Sequence, residues 1–290
     1  MRARKWTLLF VVPALLIYTI FFIFPTLAGL ALSLFNWDGI STNIDFVGVQ
    51  NYSNLAKDPI FLSAITNNIK FTLTVLMITI VLSLFLAIHV VRKTRFNVIM
   101  RVIFFLPLVL SSIAIAFIWT FLYDPNMGVV NAVLHTFWPQ WTPAWLGDPS
   151  IAIFALAVVH IWTHTGQILI IFVAGLQTIP PDLYEAASIE GASPWQSFRH
   201  VTWPLLAPVT IIATVLTTIQ SFKAFDLVFV MTDGGPFYST EILATFIYHQ
   251  AFGNYKFGYA AAASVVFMLL IALITLVQFK VVRRNGTDYA

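Results

Sequence analysis

The chain has 290 residues, of which 59% are hydrophobic and 9% are charged, and its mean hydropathy is +0.88. This composition indicates an integral membrane protein and excludes an ordinary soluble domain. The chain has no cysteine, which excludes disulfides and thiol chemistry, and its net charge of +3 gives no nucleic-acid signal.

Six apolar runs follow one another, each near or above the ~20 residues that cross a hydrocarbon core. The first run is far longer than the hydrophobic region of a signal peptide. Because lipid offers no hydrogen bonds to the backbone, each run is predicted to be helical, which makes the fold class all-α. We expect transmembrane helices at about residues 6–34, 69–91, 102–122, 151–176, 205–231 and 259–282.

Lysine and arginine lie mainly on one side of this six-helix scheme. With the N-terminus inside, the cytoplasmic side carries Arg2, Arg4, Lys5, Arg92, Lys93, Arg95, Arg101, Arg199, Lys280, Arg283 and Arg284. The outer side carries only Lys57, Lys70 and Lys256. The positive-inside rule therefore predicts that both termini and the segment 177–204 are cytoplasmic.

Two of the predicted outer segments have a recognisable character. Residues 123–150 are rich in proline and glycine, which predicts turns, and they include Trp138, Trp141 and Trp145, which suit a membrane interface. An apolar repeat from Ile242 to Ala251 has helical spacing and predicts a short surface helix.

The polar segment between the fourth and fifth runs carries the signals of a helix–turn–helix. Pro181 suits a first helical position, and Gly191 suits the residue that closes a helix. Ser193 and Gln196 have the spacing of a capping box that starts a second helix. Pro204 predicts a bend before the next apolar run.

This segment resembles the EAA loop of ATP-binding-cassette importer permeases. The family pattern is Glu-Ala-Ala, three residues, Gly, a Phe seven residues later and a Pro thirteen residues after the Gly; Glu190 stands here where the family has Asp. The resemblance implies that the loop 177–204 docks on a cytoplasmic ATPase and transmits its motion. The implied coupling residues are Glu185, Ala186, Ala187, Glu190, Gly191, Ala192, Phe198 and Pro204.

The resemblance continues along nearly the whole chain and is to the carbohydrate-uptake branch of the family. The stretches that carry it are Gly48–Tyr52, Leu106-Pro107 with Trp119 and Pro125, Thr232–Pro236, and Tyr248 to Tyr259. It implies a type I importer permease fold, with residues 1–290 forming one transmembrane domain. It also implies a bacterial or archaeal inner membrane as the location.

The same resemblance implies several partners. They are a second homologous permease subunit, two ATP-binding-cassette ATPase subunits, an extracytoplasmic solute-binding protein, a sugar and membrane lipid. No cofactor is expected in this chain, because ATP and Mg would bind to the ATPase subunits.

Chemistry within the chain itself is not indicated. The nearest approach to a phosphate-binding loop is Gly253–Gly258, which lacks the Lys-Ser/Thr ending and is predicted to be outside. His160 and His164 are one helical turn apart, but no third metal ligand is evident, so hydrogen-bonded bundle histidines are expected. The sequence contains no recognisable set of catalytic residues, so an enzyme is not predicted.

Polar residues inside the apolar runs are costly in lipid and tend to face a cavity or a partner. The candidates for a translocation path are Trp162, His164, Gln167, Gln220, Lys223 and Asp226. Lys223 and Asp226 are three residues apart, so on one helix they would share a face and could pair. When the family resemblance is set aside, Lys223 and Asp226 have three possible roles: a structural ion pair, a contact with a partner subunit, or an element of the translocation path.

The leading hypothesis is that the chain is one transmembrane subunit of a binding-protein-dependent, ATP-driven importer of mono- or oligosaccharides. It would form half of a pathway that works by alternating access. A second hypothesis keeps this machine but changes the cargo to glycerol phosphate or another small solute, although the few intramembrane charges favour a neutral cargo. An ion-coupled secondary transporter would need an internal repeat with matching broken helices, and none is seen. The fourth alternative, an intramembrane enzyme, lacks catalytic residues.

Overall fold

The computed structural model describes residues 11–286. Within that range, five helices are long and apolar enough to cross a membrane, and a bent helix pair makes a sixth span if its two parts cross together. The all-α membrane fold is therefore confirmed. Residues 6–10, where the first predicted helix begins, lie outside the described residues, as do Arg2, Arg4 and Lys5.

The first half of the described chain alternates long apolar helices with short elements. These are α1 (Val11–Leu32), β1 (Phe35–Asn36), β2 (Asp45–Phe46), α2 (Gln50–Leu55), α3 (Pro59–Val90), α4 (Arg95–Val109), α5 (Ser112–Leu122) and α6 (Val129–Phe137). A π-helical turn lies within α1 at Thr19–Ile23. The two strands pair antiparallel, with Phe35 opposite Phe46.

The second half contains the remaining helices. These are α7 (Ala152–Leu176), α8 (Pro181–Ile189), α9 (Pro194–Ser197), α10 (Trp203–Leu205), α11 (Ala207–Phe222), α12 (Phe225–Met231), α13 (Leu243–Tyr248) and α14 (Phe257–Gly286). π-Helical turns follow α9 at Phe198–Thr202 and α13 at His249–Gly253. The predicted short helix near residue 242 is present as α13, but half of it is buried: Leu243, Thr245 and Phe246 are at most 1% exposed.

Helix α3 begins at Pro59, well before the predicted start at residue 69. The Asp58 carboxylate accepts the backbone N–H groups of Ile60 at 2.8 Å and Phe61 at 3.2 Å, which caps the helix. The apolar pattern places the start too late because polar residues interrupt it. One of them, Asn67, is buried and donates to the carbonyl of Tyr238 at 3.0 Å, so it belongs to the helix as a structural group.

The predicted third helix over 102–122 is wrong as a single helix. It is divided between α4 and α5, which meet at an angle of 98°. Pro107 lies in the last turn of α4 and has no N–H to donate to the preceding turn. Leu110 and Ser111 then adopt extended conformations, with ψ of 152° and 133°. The backbone therefore turns sharply between the two helices.

The predicted fifth helix over 205–231 is also interrupted, between Phe222 and Phe225. At the break the N–H of Phe225 donates to the carbonyl of Lys223 at 2.8 Å, which closes a tight three-residue turn. Neither proline nor glycine lies between Phe222 and Phe225, so the local sequence contains no breaker that predicts this interruption.

The chain divides into two compact units. One transmembrane domain over residues 1–290 stays a prediction. One unit consists of the residues up to Leu62 together with Phe246–Leu269. In it, the buried Asn51 amide donates to the carbonyls of Ser33 and Phe35, both at 2.9 Å. These bonds tie α2 to the end of α1 and to β1.

The other unit consists of Ser63–Thr245 and the residues from Leu270 onward. It contains two apolar clusters. The first is built from α3, α5, α7 and α12 and includes Phe71, Leu156 and Val228. The second is built around α7 and includes Phe172, with Leu206 packed into it. Phe198, one of the predicted coupling residues, packs against the second cluster.

The loop that follows α5 is organised by Asp124. Its carboxylate accepts the N–H groups of Met127 at 2.8 Å and Asn126 at 2.9 Å. These two bonds favour the charged form and lower the pKa of the Asp124 carboxyl below its ordinary value.

Candidate functional site

The helix–turn–helix predicted between the fourth and fifth runs is present, and its first helix ends in a Schellman motif. Gly191 has a φ of +76°. Its N–H donates to the carbonyl of Ser188 at 3.1 Å, and the N–H of Ala192 donates to the carbonyl of Ala187 at 2.9 Å. A side chain at Gly191 would meet nothing within 4 Å, so glycine is favoured here by the backbone conformation and not by lack of space.

The second helix starts with the predicted capping box. The Ser193 hydroxyl accepts the N–H of Gln196 at 3.3 Å, and the Gln196 side chain accepts the N–H of Ser193 at 2.7 Å. Helical structure continues through the π-helical turn Phe198–Thr202 into α10. Pro204 therefore lies inside the helical stretch, and the interruption comes two residues later at Leu206.

The helix–turn–helix is anchored at its base and exposed at its tip. The Tyr184 hydroxyl lies 2.9 Å from the Thr202 hydroxyl, and Tyr184 and Phe198 pack against the Phe172 cluster. At the tip, Ile189 is 87% exposed. Exposed positions among the predicted coupling residues are Glu185, Ala186, Glu190 and Gly191, and half-buried ones are Ala187, Ala192, Phe198 and Pro204. The segment is thus a firmly attached projection that offers its tip to another molecule.

A second constellation is a polar cavity of about 310 Å³ that lies among α5, α7, α11 and α12. Four of the six predicted path residues line it: His164, Gln220, Lys223 and Asp226. Gln167 is connected to the cavity by one hydrogen bond, because its side-chain oxygen accepts a hydrogen bond from Nε2 of Gln220 at 2.8 Å. The structure therefore gathers residues from separate parts of the chain around one space.

Lys223 and Asp226 reach this cavity in a way that the helical spacing does not predict. The helix breaks between them, so they do not share one helix face. Both line the cavity, and no ion pair between these two side chains is found in the described part of the chain. Of the three alternatives, the structural ion pair between Lys223 and Asp226 is therefore not formed among the described residues.

His160 is the cavity residue that sequence reasoning assigned only a structural role. Its ring stacks on that of His164, with centroids 4.1 Å apart and planes 15° apart. Its Nδ1 atom is buried without a hydrogen-bond partner, and the residue lines the cavity. The spacing of one helical turn already pairs the two histidines in the sequence, but only His164 is predicted as a candidate for the path.

Trp162 lies elsewhere. It is 42% exposed and makes an edge-to-face contact with Trp119, with ring centroids 5.6 Å apart. It does not line the polar cavity. Over residues 11–286, no group of three or more histidine, aspartate or glutamate side chains is placed to hold a metal ion.

Comparison with known proteins agrees with this arrangement. A family described as "Binding-protein-dependent transport system inner membrane component" matches residues 79–286. A probable ABC transporter permease protein of Pyrococcus horikoshii is 36% identical over 94% of each chain. AmyD, the probable starch degradation products transport system permease protein of Thermoanaerobacterium thermosulfurigenes, is 32% identical over 98% of this chain and 96% of its own.

Two further proteins extend the comparison. The sn-glycerol-3-phosphate transport system permease protein UgpA of Escherichia coli is 33% identical over 97% of this chain and 95% of its own. A chain of a bacterial ABC transporter that imports the acidic polysaccharide alginate has a TM-score of 0.81, at 21% identity, over 97% of this chain and 96% of its own. The latter likeness concerns the fold alone. The chain belongs to the family of binding-protein-dependent transport system inner membrane components.

Proposed function

We propose that this chain is one transmembrane subunit of a binding-protein-dependent, ATP-driven importer of neutral mono- or oligosaccharides. The observation that carries the proposal is the helix–turn–helix over 181–205, which is anchored at Tyr184 and exposed at Ile189. A permease that receives mechanical work from a separate ATPase needs a projection of this kind. The relatives named for starch degradation products and for multiple sugars support a carbohydrate cargo.

The coupling step follows from how the projection is attached. An ATPase subunit that grips the tip around Ile189 and Glu190 would move the segment as one body, because the Schellman motif and the capping box join its helices. Tyr184 and Phe198 would pass this motion to the Phe172 cluster. That cluster contains residues of α3 and α7, so the motion would be transmitted to these membrane helices. ATP binding would thus drive alternating access, and hydrolysis would reset it.

The polar cavity is the part of this chain proposed to contact cargo. His164 and Gln220 offer hydrogen-bond donors and acceptors that suit hydroxyl groups. Lys223 and Asp226 add one positive and one negative charge, which sum to zero. A cavity without net charge favours a neutral polyol over an anion or a cation. His160 joins these residues as a cargo-facing candidate.

The remaining parts of the machine are also proposals. The partners would be a second homologous permease, two ATPase subunits that bind ATP and Mg, and an extracytoplasmic solute-binding protein. A second solved structure similar to this chain is that of a bacterial alginate ABC transporter in complex with a periplasmic protein to which an alginate pentasaccharide is bound. This chain would lie in a bacterial or archaeal inner membrane with both termini cytoplasmic, and it would carry no catalytic residue or cofactor of its own.

One alternative cargo has a specific observation in its favour. UgpA of Escherichia coli, named for sn-glycerol-3-phosphate transport, is about as similar to this chain as the relatives named for sugars. A phosphate needs positive charge that is not cancelled, whereas Asp226 balances Lys223 in this cavity. Competition of glycerol phosphate against a panel of sugars for uptake would separate the two cargoes.

A mild-detergent pull-down of the tagged chain from its native host tests the proposal. We expect a second permease and an ATPase subunit to co-elute, with ATPase activity that rises when a sugar-loaded binding protein is added. A chain that elutes alone and supports uptake driven by an ion gradient would contradict the proposal.

A further inference from the structure

A groove of about 810 Å³ lies beside the helix–turn–helix, between α3 and the segment 194–203. Its α3 wall includes Val81, Phe85 and Ile88, and its other wall includes Trp195, Arg199 and Trp203. Apart from Arg199, these side chains are apolar or aromatic, and Val81, Phe85, Trp195 and Trp203 are exposed. The rise of 1.5 Å per helical residue makes the α3 wall about 12 Å long from Ile80 to Ile88.

The groove contains one cationic side chain, that of Arg199. In the part of the chain that the structure describes, Arg199 has no hydrogen bond or ion pair. Arg101, by contrast, donates to the carbonyls of Val90 and Val91 and so holds the end of α3. The guanidinium of Arg199 is therefore free to bind an external anion.

The surroundings of the groove reinforce its positive charge. Arg92, Lys93 and Arg95 follow within seven residues of Ile88 and are exposed. Tryptophan side chains favour the level of the lipid headgroups, and Trp195 and Trp203 flank Arg199 in the sequence. An apolar groove along α3, with two tryptophans and an arginine in its opposite wall, matches a molecule with an acyl chain and an anionic headgroup.

We infer that this groove is a binding site for an anionic phospholipid, whose phosphate is held by Arg199 and whose acyl chain lies along Val81 and Phe85. The lipid would fill the space between α3 and the segment 194–203. It would thereby make the contact between the helix–turn–helix and the membrane helices more rigid. The inference rests on the proposed cytoplasmic position of this end of the chain, but not on the identity of the cargo.

Native mass spectrometry of the assembled complex tests the inference. The complex would be taken from nanodiscs of phosphatidylcholine, with and without phosphatidylglycerol, and the retained lipids would be counted. We expect the wild type to retain phosphatidylglycerol in preference to phosphatidylcholine. Arg199→Gln should weaken that retention about fivefold, the effect of one arginine near an anionic lipid surface, whereas Arg199→Lys should keep most of it.

Two further variants separate the headgroup from the acyl chain. Val81→Trp fills the groove at an exposed position and should lower lipid retention while Arg199 stays in place. Lys57→Gln removes one positive charge from the predicted outer side and should leave retention unchanged. Each variant complex must have the wild-type subunit masses, which shows that a loss of lipid is not a loss of assembly.

Several results would overturn the inference. Equal retention of the two lipids by the wild type would do so, as would unchanged retention in either Arg199→Gln or Val81→Trp. The chain has no cysteine, so Val81→Cys can be labelled with a maleimide that carries a photoreactive group and tested for a light-induced crosslink to the second permease. Such a crosslink would mean that a protein helix occupies the groove. Lipids are counted by mass, so an assembled, transporting complex without bound phosphatidylglycerol contradicts this inference and leaves the proposed function intact.

Discussion

At the scale of single residues, Gly191 shows how a functional motif can depend on one backbone angle. Its φ of +76° lies in the left-handed region, and the space around it is open. A side chain there would cost about 1–2 kcal/mol through backbone strain alone. Asparagine visits this region more readily than other residues, so the nature of the substitution decides its effect.

We expect Gly191→Pro to uncouple transport while membrane insertion stays intact. Proline fixes φ near −65° and removes the N–H that donates to Ser188, so the turn between α8 and α9 cannot form. The matched variant Gly191→Asn should keep most of the activity. The measurement compares ATP hydrolysis with sugar uptake in proteoliposomes. Normal uptake by a stably assembled Gly191→Pro complex would show that the segment does not couple.

At the scale of elements, the close approach of α4 and α7 depends on Gly166. A Cβ atom at this position would collide with the backbone of Phe104 and Phe105. Small residues allow membrane helices to approach in this way, because packing rather than water drives their association. The same contact holds α4 against α7 next to the bend where α5 begins.

Gly166→Ala is predicted to destabilise the permease by about 1–3 kcal/mol, the usual cost of overpacking. Gly29→Ala is the control, since it adds the same methyl group to α1, where nothing lies within 4 Å. Thermal denaturation of the detergent-solubilised complex, followed by size-exclusion chromatography, compares the two variants. Equal melting temperatures would contradict the close contact at Gly166.

At the scale of the whole molecule, the distribution of charge predicts the orientation in the membrane. Eleven lysines and arginines fall on one side of the six-helix scheme and three on the other. From this bias the positive-inside rule predicts a cytoplasmic position for the segment 177–204.

Cysteine labelling can test this orientation without background, because the chain has no cysteine. Gln140 and Asp182 are both exposed, the first in the predicted outer segment and the second on α8. A membrane-impermeant maleimide should label Gln140→Cys in intact cells, or in spheroplasts if an outer membrane is present. It should label Asp182→Cys only after the inner membrane is opened. Labelling of Asp182→Cys in intact spheroplasts would reverse the assigned topology.

Features that depend on near neighbours are the ones the amino-acid sequence determined by itself. The membrane class follows from composition, and the apolar spans follow from length. The end of α8 at Gly191 and the capping box of Ser193 and Gln196 follow from residues within three or four positions of each other. Each of these features depends on hydrogen bonding, backbone freedom and burial among residues close in sequence, so it can be predicted from the sequence alone.

Features that depend on distant residues were decided only by the tertiary structure. The break after Phe222 has no proline or glycine to mark it, and it turns Lys223 and Asp226 toward one cavity instead of along one helix face. The same cavity collects His160 from α7, and Gln220 meets Gln167 across 53 positions of sequence. Helix packing fixes which polar side chains share a space, because in lipid each must find a partner or a cavity wherever the fold provides one.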